Sequence, residues 1–398
     1  MHRSTLNLFL EINDLNYIFY VCKINELNDS EIVYDLKIPL EGIKNNRVAD
    51  LEKVFNLVKE NILKIEQKFN ETFKEIVLIL ENFNPSFVNV CGFKKLNGSQ
   101  ILRENITYIL NSLKSYVDEI ESKKTILHIF NSNYQLDNKK IENLPIGLFG
   151  DFYSHELSFS LINTNDYKNL KVIFERCNLK IKKILIKSFI KGANLSDSKK
   201  GLDTFFHLKI NNNDSKIFFF ENNSLKSEFS FNFGTEIIIR DISKITSLKT
   251  ERIKIILNQL ELKADMSEEE NIEKKFFEEN NYIKIKKKLI YEIAIARLKE
   301  ISEMILFNNI NFESYNKIPK VIFLEIDPSL KLNGLEEMYR TVFSKNGKID
   351  LNIIKESSND SILKTVNKLV HFGWKKEAIP ITQAKKSLIG KLFDAIFS

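Results

Sequence analysis

The chain alternates between two spacings of its apolar residues, and this alternation constrains the fold more than any single motif does. Residues 6–40 alternate apolar and polar side chains, a helical repeat follows, and the run at 76–80 is entirely apolar. A period of two indicates a strand with one buried face, whereas a period near 3.6 indicates an amphipathic helix. The pattern predicts strands, a helix and a further strand in an α/β core. The helical repeat consists of Leu51, Val54, Phe55, Val58, Ile62 and Ile65.

A second group of elements lies between residues 83 and 162. After Pro85, apolar residues recur at helical spacing from 101 to 117, and strand patterns follow at 126–129 and 155–161. Because these elements interrupt the core pattern and can bury one another, they predict a small α+β unit inserted into the first lobe.

The core pattern resumes after this insertion and then repeats in a second lobe. Asn165 or Asp166 is expected to cap the next helix, because both side chains can accept from the first free N–H groups. A hairpin is predicted to turn at Asn222 and Asn223, a pair that tolerates positive φ. With 398 residues, the chain exceeds what one hydrophobic core usually supports. The other predicted elements are strands at 181–185, 216–220, 226–233 and 321–324, helices at 170–174 and 289–306, and a charged, solvated loop or helix face at 266–275.

Composition excludes several classes of function. The hydrophobic content of 43% is that of a globular protein, and a net charge of +6 without a dense basic block gives no support for nucleic-acid binding. Three widely spaced cysteines and five scattered histidines predict neither a disulfide framework nor a metal site. No apolar run approaches the roughly 20 residues that span a bilayer, and 6–22 is too polar for a signal peptide, so we expect the chain in the cytoplasm.

The segment 388–398 has the spacing of a short amphipathic helix. Its apolar residues form one stripe, Lys391 lies on the other side, and a polar connector at 375–387 separates it from the preceding elements. From Lys364 onward there are seven lysines against Glu377 and Asp394, which favours an anionic membrane surface. We expect this helix to bind membrane, the alternative being that it docks on the protein itself or on a partner. The stripe consists of Leu388, Ile389, Leu392, Phe393, Ile396 and Phe397.

Several short motifs occur in an order and spacing that resemble FtsA, the bacterial actin-like cell-division protein. They are a Leu-His strand leading to Tyr134 and Asp137 within 126–137, a Pro-x-Gly-Leu-x-Gly loop at 145–150, and a helix end at 175–179 where Asn178 replaces the usual glycine. Collinearity along nearly the whole chain carries the resemblance. Further matches are Gly234, Asp241, Glu251, Lys254, Arg297, Glu300, 334–335 and 371–373.

The resemblance implies an actin-like fold of the α/β class, with two ribonuclease H-like lobes. The inserted unit would be an SHS2-type subdomain of the first lobe. The implied bounds are 1–82 and 163–200 for the first lobe, 83–162 for the inserted subdomain, 201–363 for the second lobe, 364–374 for a closing helix, 375–387 for a linker and 388–398 for the amphipathic helix.

The family binds ATP with magnesium, but the phosphate-binding turns are altered here. The first turn aligns with 11–16, the second with 209–214 and a later glycine pair with 325–328, and none of these segments contains a glycine. Backbone N–H groups approach a phosphate most easily at glycine, so we expect no hydrolysis and no catalytic residue. An open alternative is that Lys209 replaces the metal as the counter-charge while Asn212 and Asn213 adopt left-handed backbone. The degenerate nucleotide positions are Lys209, Asn212, Asn213, Gly234, Glu251 and Lys254.

The resemblance also implies partners and a location. An FtsA-like scaffold would bind the C-terminal peptide of FtsZ, recruit later division proteins, assemble into filaments and lie on the cytoplasmic side of the inner membrane at the division site. We assign Lys286, Lys288 and Arg297 as candidate contacts of the FtsZ peptide, the alternative being a solvated lysine run. Two other interpretations stay open, the actin-like pilus-assembly scaffold PilM and an actin-fold ATPase or kinase.

Overall fold

The computed structural model describes residues 5–24, 30–81, 83–260, 263, 265–277, 282–312, 321–327, 333–345 and 349–378. The chain divides into two compact units. Unit 1 contains the described residues up to Asn194, the short segment Asn222–Lys226 and the described residues from Asn359 on. Unit 2 contains Leu195–Glu221 and the described residues of Ser227–Ser358.

Unit 1 is built on a five-stranded sheet. Its order is β11-β6-β1-β2-β3, with β1, β6 and β11 parallel and the β1–β2–β3 meander antiparallel. The three parallel strands therefore end at the same edge of the sheet. The elements are β1 (Thr5–Ile12), β2 (Asn16–Ile24), β3 (Ser30–Pro39), β4 (Ile43–Lys44), β5 (Arg47–Val48), α1 (Leu51–Phe69) and β6 (Glu75–Leu80), with β11 (Lys180–Ile186) after the insertion.

Capping residues in the sequence determine where helix α1 begins and ends. Asp50 accepts a hydrogen bond from Lys53 N at 3.0 Å, which caps the first turn, and Asn70 ends the helix in left-handed backbone at φ 47°. Val54, Val58 and Ile62, members of the predicted helical repeat, are all buried in the core beneath the sheet. The predicted α/β core is thus confirmed in this unit.

The insertion forms a second sheet within unit 1. Its order is β7-β10-β8-β9, and α2 covers it, so that Leu157, Phe159 and Leu161 of β10 form a common apolar cluster with Ile129 and Leu110. The elements are β7 (Ser86–Lys95), α2 (Arg103–Ile120), β8 (Lys124–Leu136), β9 (Lys139–Ile141) and β10 (Phe152–Asn163), followed by α3 (Thr164–Arg176) and, after β11, α4 (Lys187–Ser198).

Unit 2 contains a sheet in the order β14-β13-β12-β15-β16, with helices packed on an isoleucine-rich core. Strands β12, β15 and β16 are parallel. The elements are β12 (Phe205–Ile210), β13 (Ser215–Glu221), β14 (Ser224–Phe231), α5 (Glu236–Thr246), α6 (Thr250–Gln259), α7 (Lys287–Ser302), β15 (Val321–Ile326), α8 (Leu335–Ser344) and β16 (Asp350–Ile354), and the chain then returns to unit 1 with α9 (Asn359–His371).

Some local predictions differ from the structure. The cap of α3 is Asn163, whose side chain accepts from Asn165 N at 2.9 Å, so the expected cap at Asn165 or Asp166 was wrong by two or three residues. Helix α7 ends at Ser302 and continues as a π-helical turn, Glu303–Phe307. The charged stretch 266–275 lies largely exposed but contributes the buried Ile272 to the core.

Asparagine takes over the conformational role that glycine usually has. Among the described non-glycine residues with positive φ, nine of eleven are asparagines, in a chain that has only 12 glycines. Asn222 and Asn223 turn the predicted hairpin at φ 49° and 62°, and Asn178 ends α3 at φ 58°. Asparagine tolerates left-handed backbone better than other residues with a Cβ, which explains why it replaces the glycine of the helix end.

No helix in the described ranges is both long and apolar enough to cross a bilayer.

We expect Asp50→Ala to lower the free energy of unfolding by about 1 kcal/mol, because the first turn of α1 loses its side-chain cap. Urea denaturation followed by circular dichroism measures the change. Asp50→Ser is the matched control, since serine caps nearly as well as aspartate. Equal losses in the two variants would contradict the capping role.

Candidate functional site

The carboxyl ends of the three parallel strands in unit 1 carry a buried charge triad. Glu11 lies near the end of β1, Glu81 follows β6, and Lys187 follows β11. The Lys187 Nζ lies 2.7 Å from Glu11 Oε1 and 2.8 Å from Glu81 Oε2. In α/β sheets this edge is where ligands ordinarily bind. Here the protein's own ammonium lies between the two carboxylates.

Burial alone would lower the pKa of Lys187, but the charges of Glu81 and Glu11 and their hydrogen bonds outweigh burial and raise it. Lys187 therefore stays protonated. Two carboxylates and one ammonium leave a net negative charge at this edge, which repels a phosphate. The ammonium already lies between the two carboxylates, so this edge offers no open pair of carboxylates to magnesium-bound ATP.

The turn between β1 and β2 uses its own side chain to satisfy its backbone. The Asn13 Oδ1 accepts from Leu15 N at 3.1 Å and from Asn16 N at 2.9 Å. In a phosphate-binding turn such N–H groups would point to the anion. Here they are already bonded, and Asn13 Nδ2 donates to Glu11 Oε1 at 3.2 Å, which ties the turn to the charge triad.

The turn between β12 and β13 in unit 2 is closed in a similar way. Thr235 N and Glu236 N, at the start of α5, donate to the carbonyl oxygens of Asn211 and Asn212 at 3.0 and 2.9 Å. A helix N-terminus of this kind normally attracts an anion. Gly234 permits the close approach, since a Cβ there would lie 2.1 Å from the Asn211 oxygen.

Neither Asn212 nor Asn213 has positive φ. The left-handed backbone considered from the sequence is therefore not present, and the turn does not form the αR-αL nest that cradles phosphates. Asn212 Oδ1 instead accepts from Thr235 Oγ1 at 3.2 Å.

Lys209 faces an acidic partner within unit 2. Its Nζ lies 3.9 Å from Glu325 Oε1, and the Glu325 Oε2 lies 3.2 Å from His207 Nε2. Glu325 and His207 are both buried. The lysine that could have served as a phosphate counter-charge is thus directed to a carboxylate of the neighbouring strand β15. Within the described residues, no group of three or more His, Cys, Asp or Glu side chains is arranged to hold a metal.

The remaining nucleotide candidates lie on α6. Lys254 Nζ pairs with Glu236 Oε2 at 3.2 Å, which joins α6 to the start of α5. Glu251 accepts from Thr250 Oγ1 at 3.0 Å and lines a different groove of about 660 Å³, together with Ile255, Phe277 and Tyr282. Lys254 therefore lies near the closed turn, whereas Glu251 faces the groove.

A second groove of about 460 Å³ lies between α5 and α7. Arg297 of α7 pairs with Asp241 of α5 and lies 2.7 Å from Glu300 Oε2. Two exposed or half-buried apolar side chains, Ile245 and Ile293, line the groove beside Lys244.

The three candidate contacts of a partner peptide do not converge. Lys286 precedes α7, and Lys288 pairs with Glu268 at 2.6 Å near the start of the helix. Arg297 lies nine residues beyond Lys288, which corresponds to roughly 13 Å along a helix and to the opposite face. Arg297 alone lines the α5–α7 groove.

The predicted membrane-binding residues Leu388, Ile389, Lys391, Leu392, Phe393, Ile396 and Phe397 all lie outside the described residues. The structure does describe the first part of the predicted linker, 375–378, and places it against β8 of the inserted sheet.

Sequence reasoning did not find the charge triad. Glu11 and Lys187 are 176 positions apart, and Lys187 and Glu81 are 106 apart. Glu81 and Lys187 each follow a predicted strand, and Glu11 lies near the end of one. The convergence of parallel strand ends was the signal that could have brought the three together.

No family model matches the chain. It is 22% identical to the cell division protein FtsA of Buchnera aphidicola subsp. Schizaphis graminum over 271 residues, which are 66% of this chain and 63% of that protein. The chain thus spans less than two thirds of the length of the curated relative it matches. The resemblance to FtsA inferred from the motifs is confirmed.

Among solved structures, the chain is similar to the PilM-PilN type IV pilus biogenesis complex, with a TM-score of 0.51, 10% identity and coverage of 92% of this chain and 96% of that one. The ROK hexokinase of Thermus thermophilus matches at a TM-score of 0.42 and 8% identity over 91% of this chain and 96% of its own. The predicted actin-like fold is confirmed.

Because Glu11 is buried and Lys187 and Glu81 are partly buried, we expect Lys187→Met to destabilise the protein by about 3–5 kcal/mol, since two carboxylates are left facing each other without a counter-charge. Chemical denaturation measures the loss. The matched control adds Glu11→Gln and Glu81→Gln to Lys187→Met, which removes all three charges and is expected to recover most of the stability. If the triple variant is no more stable than Lys187→Met, the unpaired carboxylates are not the cause of the loss.

Proposed function

We propose that this divergent FtsA-like chain is a scaffold that attaches FtsZ filaments to the cytoplasmic face of the membrane at the division site, recruits later division proteins and self-associates into filaments. The observation that carries the proposal is the similarity to FtsA over 271 residues. The curated relative is named a cell division protein.

The closed phosphate turns support a scaffold that does not turn over nucleotide. In each unit the N–H groups or the basic side chain that could bind a phosphate are bonded to the protein itself. Opening these bonds to admit an anion would leave Glu11 and Glu81 without their counter-charge. Binding through surfaces, rather than ATP hydrolysis, is the activity that this arrangement favours.

The α5–α7 groove is the surface that we assign to the C-terminal peptide of FtsZ. That peptide is acidic and apolar, and the groove presents Lys244 and Arg297 beside the apolar side chains of Ile245, Ile293 and Ala296. Ile245 is 58% exposed and is thus available to a ligand. The groove is also lined by Asp241, Glu292 and Glu300, and Arg297 already pairs with Asp241 and Glu300. Its apolar side chains, rather than its net charge, therefore complement the peptide.

We expect Ile245→Asp to weaken binding of a labelled FtsZ C-terminal peptide by tenfold or more, because a carboxylate replaces an apolar contact and repels the acidic peptide. Fluorescence anisotropy measures the affinity. Ile255→Asp is the matched control, since Ile255 is 44% exposed but lines the groove of α6. An equal loss in both variants, or binding of a pilus-assembly peptide in place of the FtsZ peptide, would contradict the assignment.

The stripe at 388–397 is the part of the chain that we assign to the membrane. Six large apolar residues can each contribute roughly 1.5–3 kcal/mol when fully buried. The cost of ordering a short helix offsets much of this gain, since such a helix is marginal in water. One copy therefore binds weakly, and clustered copies bind by avidity.

We expect Phe393→Glu combined with Phe397→Glu to abolish sedimentation with anionic vesicles, because two carboxylates interrupt the stripe and repel the lipid surface. Phe393→Leu combined with Phe397→Leu keeps the stripe apolar and is expected to preserve sedimentation. Magnesium and ATP should leave the wild-type result unchanged. Sedimentation of the glutamate variant at the wild-type level would remove the anchor from the proposal.

A further inference from the structure

The segment Trp374–Ala378, which follows α9 and which we call the strap, forms a turn closed by Glu377 N donating to Trp374 O at 2.9 Å, and then a single β-bridge at Glu377. Asn131 N donates to Lys376 O at 2.6 Å, and Ala378 N donates to Ile129 O at 2.7 Å. The strap therefore pairs antiparallel with β8 around Phe130 and Glu377. On this side β8 otherwise pairs only with β9, through Tyr134–Leu136, so the strap covers an edge of the inserted sheet that no other described strand covers.

A carboxylate of the strap is held in a pocket formed by two other elements. Glu377 Oε2 lies 2.8 Å from Lys183 Nζ of β11, and Glu377 Oε1 lies 3.3 Å from His128 Nδ1 of β8. The Glu377 side chain is only 12% exposed and His128 is completely buried. Burying a carboxylate costs several kcal/mol unless it is paired and hydrogen-bonded, and this pocket supplies both.

The protonation states follow from the environment of each group. Burial lowers the pKa of His128 further than Glu377 raises it, so the imidazole is neutral and its Nδ1–H donates to the carboxylate. Burial alone would raise the pKa of Glu377, but the hydrogen bond from His128 and the charge of Lys183 outweigh it and hold the pKa below its usual range. Lys183 carries the positive charge and also donates to Leu369 O at 3.2 Å.

The aromatic end of the strap is fixed as well. Trp374 is 7% exposed, packs edge-on against Phe189 and donates from Nε1 to Asn223 O at 2.7 Å. At the other end, Ala378 is buried in the apolar cluster that contains Leu157 and Phe159. A solvated linker would need neither of these contacts.

From this geometry we infer that the open edge of β8 around Ile129–Asn131, together with His128 and Lys183, is a binding site for a short segment that carries a glutamate, and that the chain's own strap occupies it. The acceptor and donor groups of the site come from β8 and β11. The site recognises two features at once, the backbone groups of Lys376 and Ala378 that bond to β8 and the carboxylate of Glu377 in the pocket.

The consequence for attachment rests on the proposed function, since it takes the stripe at 388–397 as the membrane anchor. With the strap docked, the residues between it and the stripe, which we call the tether, are 379–387, and nine residues span at most about 30 Å. With the strap released, the tether begins after Gly373 and reaches close to 50 Å. Docking thus sets the point from which the anchor leaves the protein, on the inserted sheet, and limits its reach.

The strap contains the chain's single tryptophan, so its docking can be observed directly in the full-length protein. We expect the wild-type emission to be blue-shifted and poorly quenched by acrylamide. In Glu377→Lys a second ammonium faces Lys183, so the quenching constant should rise by about threefold and the emission should shift to the red. Glu60→Gln, which changes an exposed glutamate of α1, is expected to leave both unchanged, and Glu377→Gln should give an intermediate value.

A charge swap separates release of the strap from unfolding. Glu377→Lys combined with Lys183→Glu restores an ion pair in the pocket and is expected to return the quenching constant to within about twofold of the wild type. Wild-type quenching in Glu377→Lys, or no recovery in the swapped variant, would overturn the inference. The fluorescence of Trp374 is measured in the absence of lipid. If sedimentation of the variant Phe393→Glu with Phe397→Glu contradicted the membrane assignment, the quenching result for the strap would be unaffected.

Discussion

The structure of unit 1 depends on one interaction, the ammonium of Lys187 held between the carboxylates of Glu11 and Glu81. Three parallel strands end at this edge, and each contributes one of the three charges. In a fold whose ligands bind at strand ends, two carboxylates at such an edge need a cation, which a ligand or the protein can supply. Here Lys187 supplies it, and the side chain of Asn13 occupies the N–H groups of the adjacent turn.

In unit 2, backbone N–H groups near a predicted phosphate-binding turn are also bonded to the protein itself. The start of α5 bonds to the carbonyls of Asn211 and Asn212 instead of presenting free N–H groups, and Gly234 is the residue that lets the two backbones meet. The side chain of Asn13 therefore occupies two N–H groups of the first turn, and the carbonyls of the second turn occupy two N–H groups at the start of α5.

Local periodicity predicted those parts of the fold whose causes are local. Helix α1 follows from its apolar spacing, and the hairpin at Asn222 and Asn223 follows from the tolerance of asparagine for positive φ. Strand β7 was missed because it is an edge strand whose residues are only partly buried, so its pattern lacks a strongly apolar face. The charge triad and the docking of Glu377 depend on residues more than 100 positions apart, and no local pattern reports such a contact.

The strap changes what the segment after α9 contributes. Its composition is polar enough to predict a linker, yet Trp374 and Glu377 each bury a group that needs a specific partner, and each partner is present. A carboxylate buried beside Lys183 and a neutral His128 is stable only while the strap lies along β8, so backbone pairing and charge pairing require one another. Such mutual dependence makes release cooperative: the loss of either interaction exposes the other to water. The docked strap is thus a cooperative contact between the core of unit 1 and the segment that follows α9.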